Sequence, residues 1–497
     1  MALLSKSWAW KRYLGLLVVL VAFQYATNII GLGGLPPLAQ IAQIWMVYNV
    51  IKYMCPCCCC KAEEFSPDIE STLSPLSPNG LKEDIISTPQ PKRERLYYLD
   101  NLKVFLTFMV IIHHVVCMFS GGGWIWNFNH YDGDEDDDYV NYTKTMGSWI
   151  LTLNQMYFMC MFFFISGYFT PASFRKKGAQ AFLADKFKRL GIPFVAVSWV
   201  YFPICILSGI YMIDSVGSEE QSGNKITDLW YYGCIPNPGP LWFVGWLCIF
   251  SYLYTNVDHS EPTVMSCPSP LKLLGWSIPL SFLNFLLMLT GLGPFIYMPI
   301  AQGSLPFDIL FFYGGCIAYN NKWLDRGTPG GFVEIMENKW TKISTYGTLI
   351  TLAVGALPFM LSSASSNSTV SFLAQFGLCT VGIALIFYVE LDFFRLYFNF
   401  TGPVSKLLAK AAYTAYIIHP MFVNLASYIF LKTYKSSTGD EGVVFIAHNT
   451  TSTSEFTADN AQGWLMGGMV TASVFAIVTT FVTAHFVRQL PGCREIL

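Results

Sequence analysis

The residues best suited to chemistry share one apolar stretch, which opens with Tyr98-Leu-Asp-Asn-Leu-Lys103 and ends with Ile112-His113-His114. Ionisable groups inside such a run are costly to bury in a bilayer and point by default to function. Lys103 and His114 are 11 residues apart. On an α-helix that spacing is about 1,100° of rotation, within ~20° of a common face, with ~16 Å of rise, and it leaves His113 ~80° away. One face then carries a cation near one interface and an imidazole about halfway across. Imidazole titrates near neutrality and can take a proton from a hydroxyl nucleophile. The layout suits an anionic donor that enters at the charged end and reacts within the membrane. The same residues admit a structural reading, in which Lys103 snorkels to the interface and the histidines bond to neighbouring helices.

A second group is the basic collar of Arg175, Lys176, Lys177, Lys186, Lys188 and Arg189 that precedes Leu-Gly-Ile-Pro193. Charge placement alone accounts for most of it, but Lys186 and Arg189 are i, i+3 neighbours that can grip a phosphate together. Asp308, Glu390 and His419 also fall in or near apolar runs. The two acids read as paired carboxylates near the cytosolic boundary or as catalytic groups. Trp124, Trp126 and Trp242 read as interface belt, packing or a sugar-stacking platform.

The elements that must hold these residues follow from composition. The chain is 53% hydrophobic and 12% charged, against about 25% charged in soluble domains. Apolar runs of about 20 residues, the length needed to cross a hydrocarbon core, recur near 97–119, 147–169, 190–212, 240–256, 272–292, 303–320, 343–361, 370–394, 407–431 and 463–487. The fold class is therefore an all-α, polytopic bundle of about ten spans. The connections on one side hold 21 Lys and Arg and those on the other hold 4, which makes the basic side cytosolic. Three glycosylation sequons, at Asn141, Asn367 and Asn449, fall on the opposite side, and Asn399 falls on the cytosolic side. Use of the three implies a eukaryotic secretory route to an endomembrane or the plasma membrane.

Residues 1–54 read as an N-terminal membrane hairpin turned at Gly-Leu-Gly-Gly-Leu-Pro-Pro, too long for a removed signal peptide. Residues 55–94 join a cysteine cluster to a Ser- and Pro-rich linker too polar to pack. Cys55, Cys57, Cys58, Cys59 and Cys60 sit beside Lys52 and Lys61, the setting of juxtamembrane S-acylation. Adjacent cysteines do not give the spacing of a zinc site, and no metal site is expected. The acidic run Asp132 to Asp138 lacks the spaced ligands of a calcium loop. The chain shows no phosphate-binding Gly-rich loop, Gly-x-Ser-x-Gly elbow or zinc signature, which argues against an ATP-driven pump, a serine hydrolase and a metalloprotease. Nothing points to nucleic acid.

Five motifs occur in a fixed order: Leu99-Asp-Asn-Leu-Lys-Val-Phe-Leu with His113-His114, Phe163-Phe-Ile-Ser-Gly-Tyr168, Lys186 to Pro193, Gly239-Pro-Leu-Trp-Phe243, and Ala412-Tyr-Thr-Ala-Tyr-Ile-Ile-His-Pro420. As a set they resemble the acyltransferase-3 family of membrane O-acyltransferases, and within it the branch of glucan-biosynthesis protein C-like proteins. The resemblance implies a domain over 95–490 that carries an acyl group, usually acetyl, from cytosolic acyl-CoA to a hydroxyl of a carbohydrate or lipid-linked acceptor across the membrane. No permanently bound cofactor is implied; the expected partners are acyl-CoA, the acceptor and membrane lipids. The family's pattern of Arg, ten residues and His maps onto Lys103 and His114 and selects His114 over His113. Its Arg-x-x-Arg maps onto Lys186 and Arg189 as donor contacts, and its late His-Pro onto His419. Ser166 and Trp242 are further candidates within the motifs. Lys replaces the usual Arg at 103 and 186, which keeps charge but not the guanidinium fork, and Val244-Gly245-Trp246 stands where many relatives carry a Glu. A transporter and a catalytically inactive relative serving as scaffold are the rival classes.

The sidedness is testable by glycosylation mapping. Asn141, Asn367 and Asn449 are expected to carry glycan and Asn399 none; glycan on Asn399 would reverse the topology.

Overall fold

The computed structural model describes residues 95–120, 125–128, 142–214, 237–257, 264–289, 298–299, 304–362, 368–438, 444–446 and 461–496. The N-terminal hairpin, Cys55 to Cys60, the linker, the acidic run, Trp124, Asn141, Asn367 and Asn449 lie outside the described residues. The chain divides into two units between Leu96 and Tyr97, and the second is described here.

Helix α1 (Tyr97–Phe119) is followed by a short strand β1 (Trp126–Phe128) and by α2 (Tyr142–Lys186). A π-turn (Phe187–Gly191), α3 (Ile192–Ala196), a second π-turn (Val197–Tyr201) and α4 (Phe202–Asp214) continue the path. A 3₁₀ turn (Gly239–Leu241) leads into α5 (Trp242–Thr255), and α6 (Pro270–Leu289) and α7 (Leu305–Asn320) follow. Then come α8 (Phe332–Glu337), α9 (Lys339–Ser362), α10 (Ser368–Tyr397), α11 (Pro403–Thr438), β2 (Val444–Ile446), α12 (Ala461–Val487) and α13 (Cys493–Ile496). Among the described residues, five stretches are long and apolar enough to cross a membrane: Tyr97–Phe119, Tyr142–Met212, Pro270–Leu287, Pro403–Ser437 and Gly463–Val487. The second, of 71 residues, would exceed a ~30 Å hydrocarbon core several times over if straight. It breaks at Gly178, whose φ of 75° and ψ of 165° only glycine adopts without strain.

The fold departs from a wholly helical one at a single antiparallel ribbon among the described residues, where Trp126, Asn127 and Phe128 pair with Ile446, Phe445 and Val444. Phe128 packs on Phe119 and Phe430, at ring distances of 4.6 and 5.7 Å. The ribbon thus seals the end of the bundle between α1 and α11. Trp126 is fully buried beside it, which makes it a packed residue and not part of an interface belt.

Glycines set the closest helix approach. A β-carbon on Gly167 of α2 would stand 1.9 Å from the Phe312 carbonyl oxygen of α7, and one on Gly315 would stand 2.2 Å from the Phe164 oxygen. Small residues let backbones meet in this way where lipid supplies no hydrophobic drive. Pro171 cannot donate to the Gly167 carbonyl four residues earlier, and the Cys316 thiol, 3.3 Å from that oxygen, takes the place. The motif Phe163 to Tyr168 is therefore first a packing motif.

At the basic end the connections interlock. Asn101 donates to the carbonyls of Phe398 and Phe400 at 2.7 and 3.0 Å, and Tyr98 N donates to Asn399 Oδ1. Arg175 reaches Asn320 at 2.6 Å, and Met265 N reaches Asn321 at 3.0 Å. Asp392, fully buried, receives Lys342 at 2.9 Å and Arg395 at 2.7 Å. The paired carboxylate at this boundary is thus Asp392. Asp308 lies instead on the first turn of α7, at the far end from Asn320, against Cys160 at 3.8 Å.

Replacing Gly167 or Gly315 with Ala should cost about 1–3 kcal/mol, as overpacking does, and lower the unfolding temperature of the purified protein. Gly314→Ala on the same helix meets nothing within 4 Å and should leave that temperature unchanged or raise it.

Candidate active site

The site forms where α1, α2, α5 and α11 meet, and its geometry starts from a missing hydrogen bond. Pro420 has no N–H to offer the Tyr416 carbonyl four residues earlier in α11. His419 Nδ1 lies 2.6 Å from that oxygen. A carbonyl only accepts, so Nδ1 carries the proton and Nε2 the lone pair. The His-Pro order thereby fixes both tautomer and ring orientation within one helical turn.

His419 is fully buried and lies stacked against His114 of α1, with ring centroids 5.1 Å apart and planes 18° from parallel. His113 turns elsewhere: it stands edge-on to His114 at 5.4 Å and packs against Phe158 of α2 at 5.3 Å. The two adjacent histidines thus face different helices, as their angular separation on α1 requires.

An aromatic shell encloses the pair. Tyr416 lies 5.9 Å from His419 and touches Phe162 and Phe243 at 6.3 and 6.1 Å. Phe243 in turn packs on Phe163 at 4.6 Å. The Gly239 to Phe243 motif is held in place by its own backbone. Gly239 adopts φ 50°, where a side chain would be strained, and its N–H donates to Asn237 Oδ1 at 2.8 Å. The Tyr416 hydroxyl then bonds to the Pro240 carbonyl. Three motifs far apart in the chain therefore converge on His114 and His419.

The remaining candidates are distributed around this centre. Phe243, not Trp242, is the ring that reaches the shell, while Trp242 opens α5 half-buried. Ser166 is half-buried on α2, and its carbonyl accepts the Thr170 hydroxyl at 2.8 Å. Lys103 is paired with Asp100 at 2.8 Å and lies over the Phe169 ring at 5.3 Å. Arg189 and Lys177 both bind Asp185, at 3.2 and 2.7 Å, while Lys186 lies over Phe182 at 5.4 Å. Lys186 and Arg189 do not form a simple i, i+3 grip, because the π-turn from Phe187 to Gly191 widens the helix between them. Tyr413 of α11 ties this turn down, donating to the Arg189 carbonyl at 2.7 Å.

Gly245 lies close to Met298 and Phe194, whose atoms stand 2.2 and 2.8 Å from where its β-carbon would be. Apolar atoms fill the space that a Glu would need. Tyr416, Tyr413, Phe243 and Asn101 take part in the site or its supports without any sequence feature of their own that singles them out individually. For Tyr416 the signal was present in Pro420, which identifies the carbonyl left over, and the His beside it. Among the described residues no group of three or more His, Cys, Asp or Glu is placed to hold a metal.

A family model described as an acyltransferase domain matches residues 96–486. No curated protein and no solved structure matches the chain. The matched range takes in all five of the sequence motifs and the apolar helices that cross a membrane by length and composition. The chain belongs to the acyltransferase-3 family and is an integral membrane protein.

Proposed function

We propose that the chain moves an acyl group, acetyl, from cytosolic acyl-CoA to a hydroxyl of a carbohydrate or lipid-linked acceptor on the luminal or extracellular side. The observation that carries the reading is the buried stack of His114 on His419, with His419 locked by Tyr416 and family motifs gathered around it. In this reading the acyltransferase domain has ten spans, preceded by the N-terminal hairpin, and follows the topology of the glucan-biosynthesis protein C-like branch in a eukaryotic secretory membrane.

The donor approaches from the basic end, where Lys103, Lys186 and Arg189 meet its phosphates. Asp100 and Asp185 hold two of these cations in the structure, so donor binding exchanges carboxylate partners for phosphate. His114 then removes the proton from the acceptor hydroxyl as its oxygen attacks the thioester carbonyl. The new carbon–oxygen bond forms, the carbon–sulfur bond breaks, and the proton passes from His114 to the departing CoA thiolate. His419, its Nδ1–H committed to Tyr416, positions the His114 ring. The enclosed aromatic shell excludes water, which would otherwise compete with the acceptor for the acyl group.

Labelled acetyl-CoA presented to membranes with a panel of glycan and lipid acceptors tests the assignment. His114→Ala should lower transfer about 10²- to 10⁴-fold, the usual cost of losing a general base, with protein level and insertion intact. His113→Ala should retain activity. Lys103→Arg should be tolerated or improve donor use because it supplies the guanidinium fork. Dependence on His113 instead of His114, or indifference to both, would contradict the reading.

A further inference from the structure

A hydrogen bond joins the basic end to the helix that carries His419. Pro193, which closes the Lys186 to Pro193 motif, has no N–H to offer the Arg189 carbonyl four residues earlier. The Tyr413 hydroxyl donates to that carbonyl at 2.7 Å. Pro171 and Pro420 are answered in the same way, by the Cys316 thiol and the His419 imidazole. At Arg189 the donor belongs to α11, so filling the vacancy also fastens the basic turn to that helix.

The turn and the helix both suit this contact. Phe187 to Gly191 is a π-turn in which the Ile192 N–H bonds to the Phe187 carbonyl five residues earlier, and such wide turns recur at functional sites. The Arg189 side chain is 61% exposed and meets Asp185 at 3.2 Å, while its carbonyl faces Tyr413. On α11, Tyr413, Tyr416 and His419 recur at intervals of three. Tyr413 fastens the basic turn, Tyr416 fastens the turn into α5 through the Pro240 carbonyl, and His419 fills the Tyr416 carbonyl and stacks on His114. Tyr413 and His419 are about 9 Å apart along the helix axis. The place of Arg189 relative to the histidine pair is therefore set through α11. A turn that is already fixed binds phosphate without the entropy loss of being ordered on binding.

We propose that Tyr413 is a positioning residue for the acyl donor, holding the turn that bears Arg189 against α11 so that the donor phosphates meet a pre-formed site in register with His114 and His419. The inference rests on the reading of Lys186 and Arg189 as donor contacts and of His114 as the transfer centre. Tyr413 itself touches neither the donor nor the reacting atoms; it acts through the Arg189 backbone.

The test compares the full chain in lipid nanodiscs with Tyr413→Phe, which keeps the ring and loses the hydroxyl. CoA binding is read by equilibrium dialysis, and transfer is read with acetyl-CoA and the panel of glycan and lipid acceptors. Wild type should bind CoA, and Tyr413→Phe should bind it about tenfold more weakly, which corresponds to ~1.4 kcal/mol. The same substitution should raise KM for acetyl-CoA by a similar factor and retain kcat. A residue that served only the fold or the histidine stack would lower kcat instead. Equal CoA binding by the two forms, or a fall in kcat with KM unchanged, would overturn the proposal. CoA binding that depends on Tyr413, without acyl transfer by the wild type, would overturn the transfer reading and leave Tyr413 its role. Absence of CoA binding to the wild type would overturn both. If Tyr413→Phe does not fold, the wild-type structure solved with saturating CoA decides. A CoA phosphate on Arg189, with the Tyr413 hydroxyl still on the Arg189 carbonyl, supports the proposal, and phosphate bound away from Arg189 or a broken Tyr413 bond overturns it.

Discussion

A helix that carries a proline in its interior must leave one carbonyl without its usual donor, and in α11 that carbonyl belongs to Tyr416. Much of the site depends on how this vacant bond is filled. The imidazole of His419 fills it, at 2.6 Å, and in doing so fixes which of its nitrogens carries a proton. His114 then stacks on a ring that can neither rotate nor change tautomer without losing a buried hydrogen bond. The same tyrosine closes the arrangement from the other side, because its hydroxyl holds the Pro240 carbonyl at the start of the turn into α5. One backbone defect thus organises the stacked histidine pair, the tautomer of His419 and the neighbouring helix.

The second constraint is the close approach of α2 and α7. Gly167 and Gly315 allow it, and the Cys316 thiol repairs the bond that Pro171 leaves open. The two prolines are handled alike: a side chain from the same or the adjacent helix supplies the donor that the ring lacks. The difference lies in the donor. A thiol fills the Gly167 carbonyl, whereas an imidazole fills the Tyr416 carbonyl and is thereby held in one tautomer against His114. The basic end is held by a different kind of contact, in which side-chain amides of Asn101, Asn320, Asn321 and Asn399 stitch the connections together. It leaves its cations paired with Asp100 and Asp185 at the rim, where phosphate can compete for them.

Much of this was legible in the sequence for definite reasons. Apolar runs of membrane length cannot be mistaken for soluble helices, and the helical angle between His113 and His114 follows from adjacency alone. The separation of the two rings onto α2 and α11 is its direct consequence. The phosphate grip at Lys186 and Arg189 was drawn on a regular helix, and a π-turn between them is not visible to a period of 3.6. The Asp392–Arg395 pair is an i, i+3 neighbour contact open to a sequence reading, but the second cation, Lys342, lies on another helix and is not. Asp308 falls at the end of α7 away from the basic side, which the Lys- and Arg-bearing connection after residue 320 already indicates in the sequence. Tyr413 and the Arg189 carbonyl could not be joined by any local pattern, since the π-turn and α11 must both be in place before they meet.

The central claim is that an acyl group passes from the basic side to the opposite side through the histidine pair. Sealed vesicles with the basic face outward, loaded inside with a polyol acceptor and supplied outside with labelled acetyl-CoA, test this most directly. The account predicts labelled acceptor inside the vesicles, with His114→Ala and His419→Ala each abolishing it. Label that appears only when donor and acceptor are placed on the same side, or that persists in both variants, would contradict it.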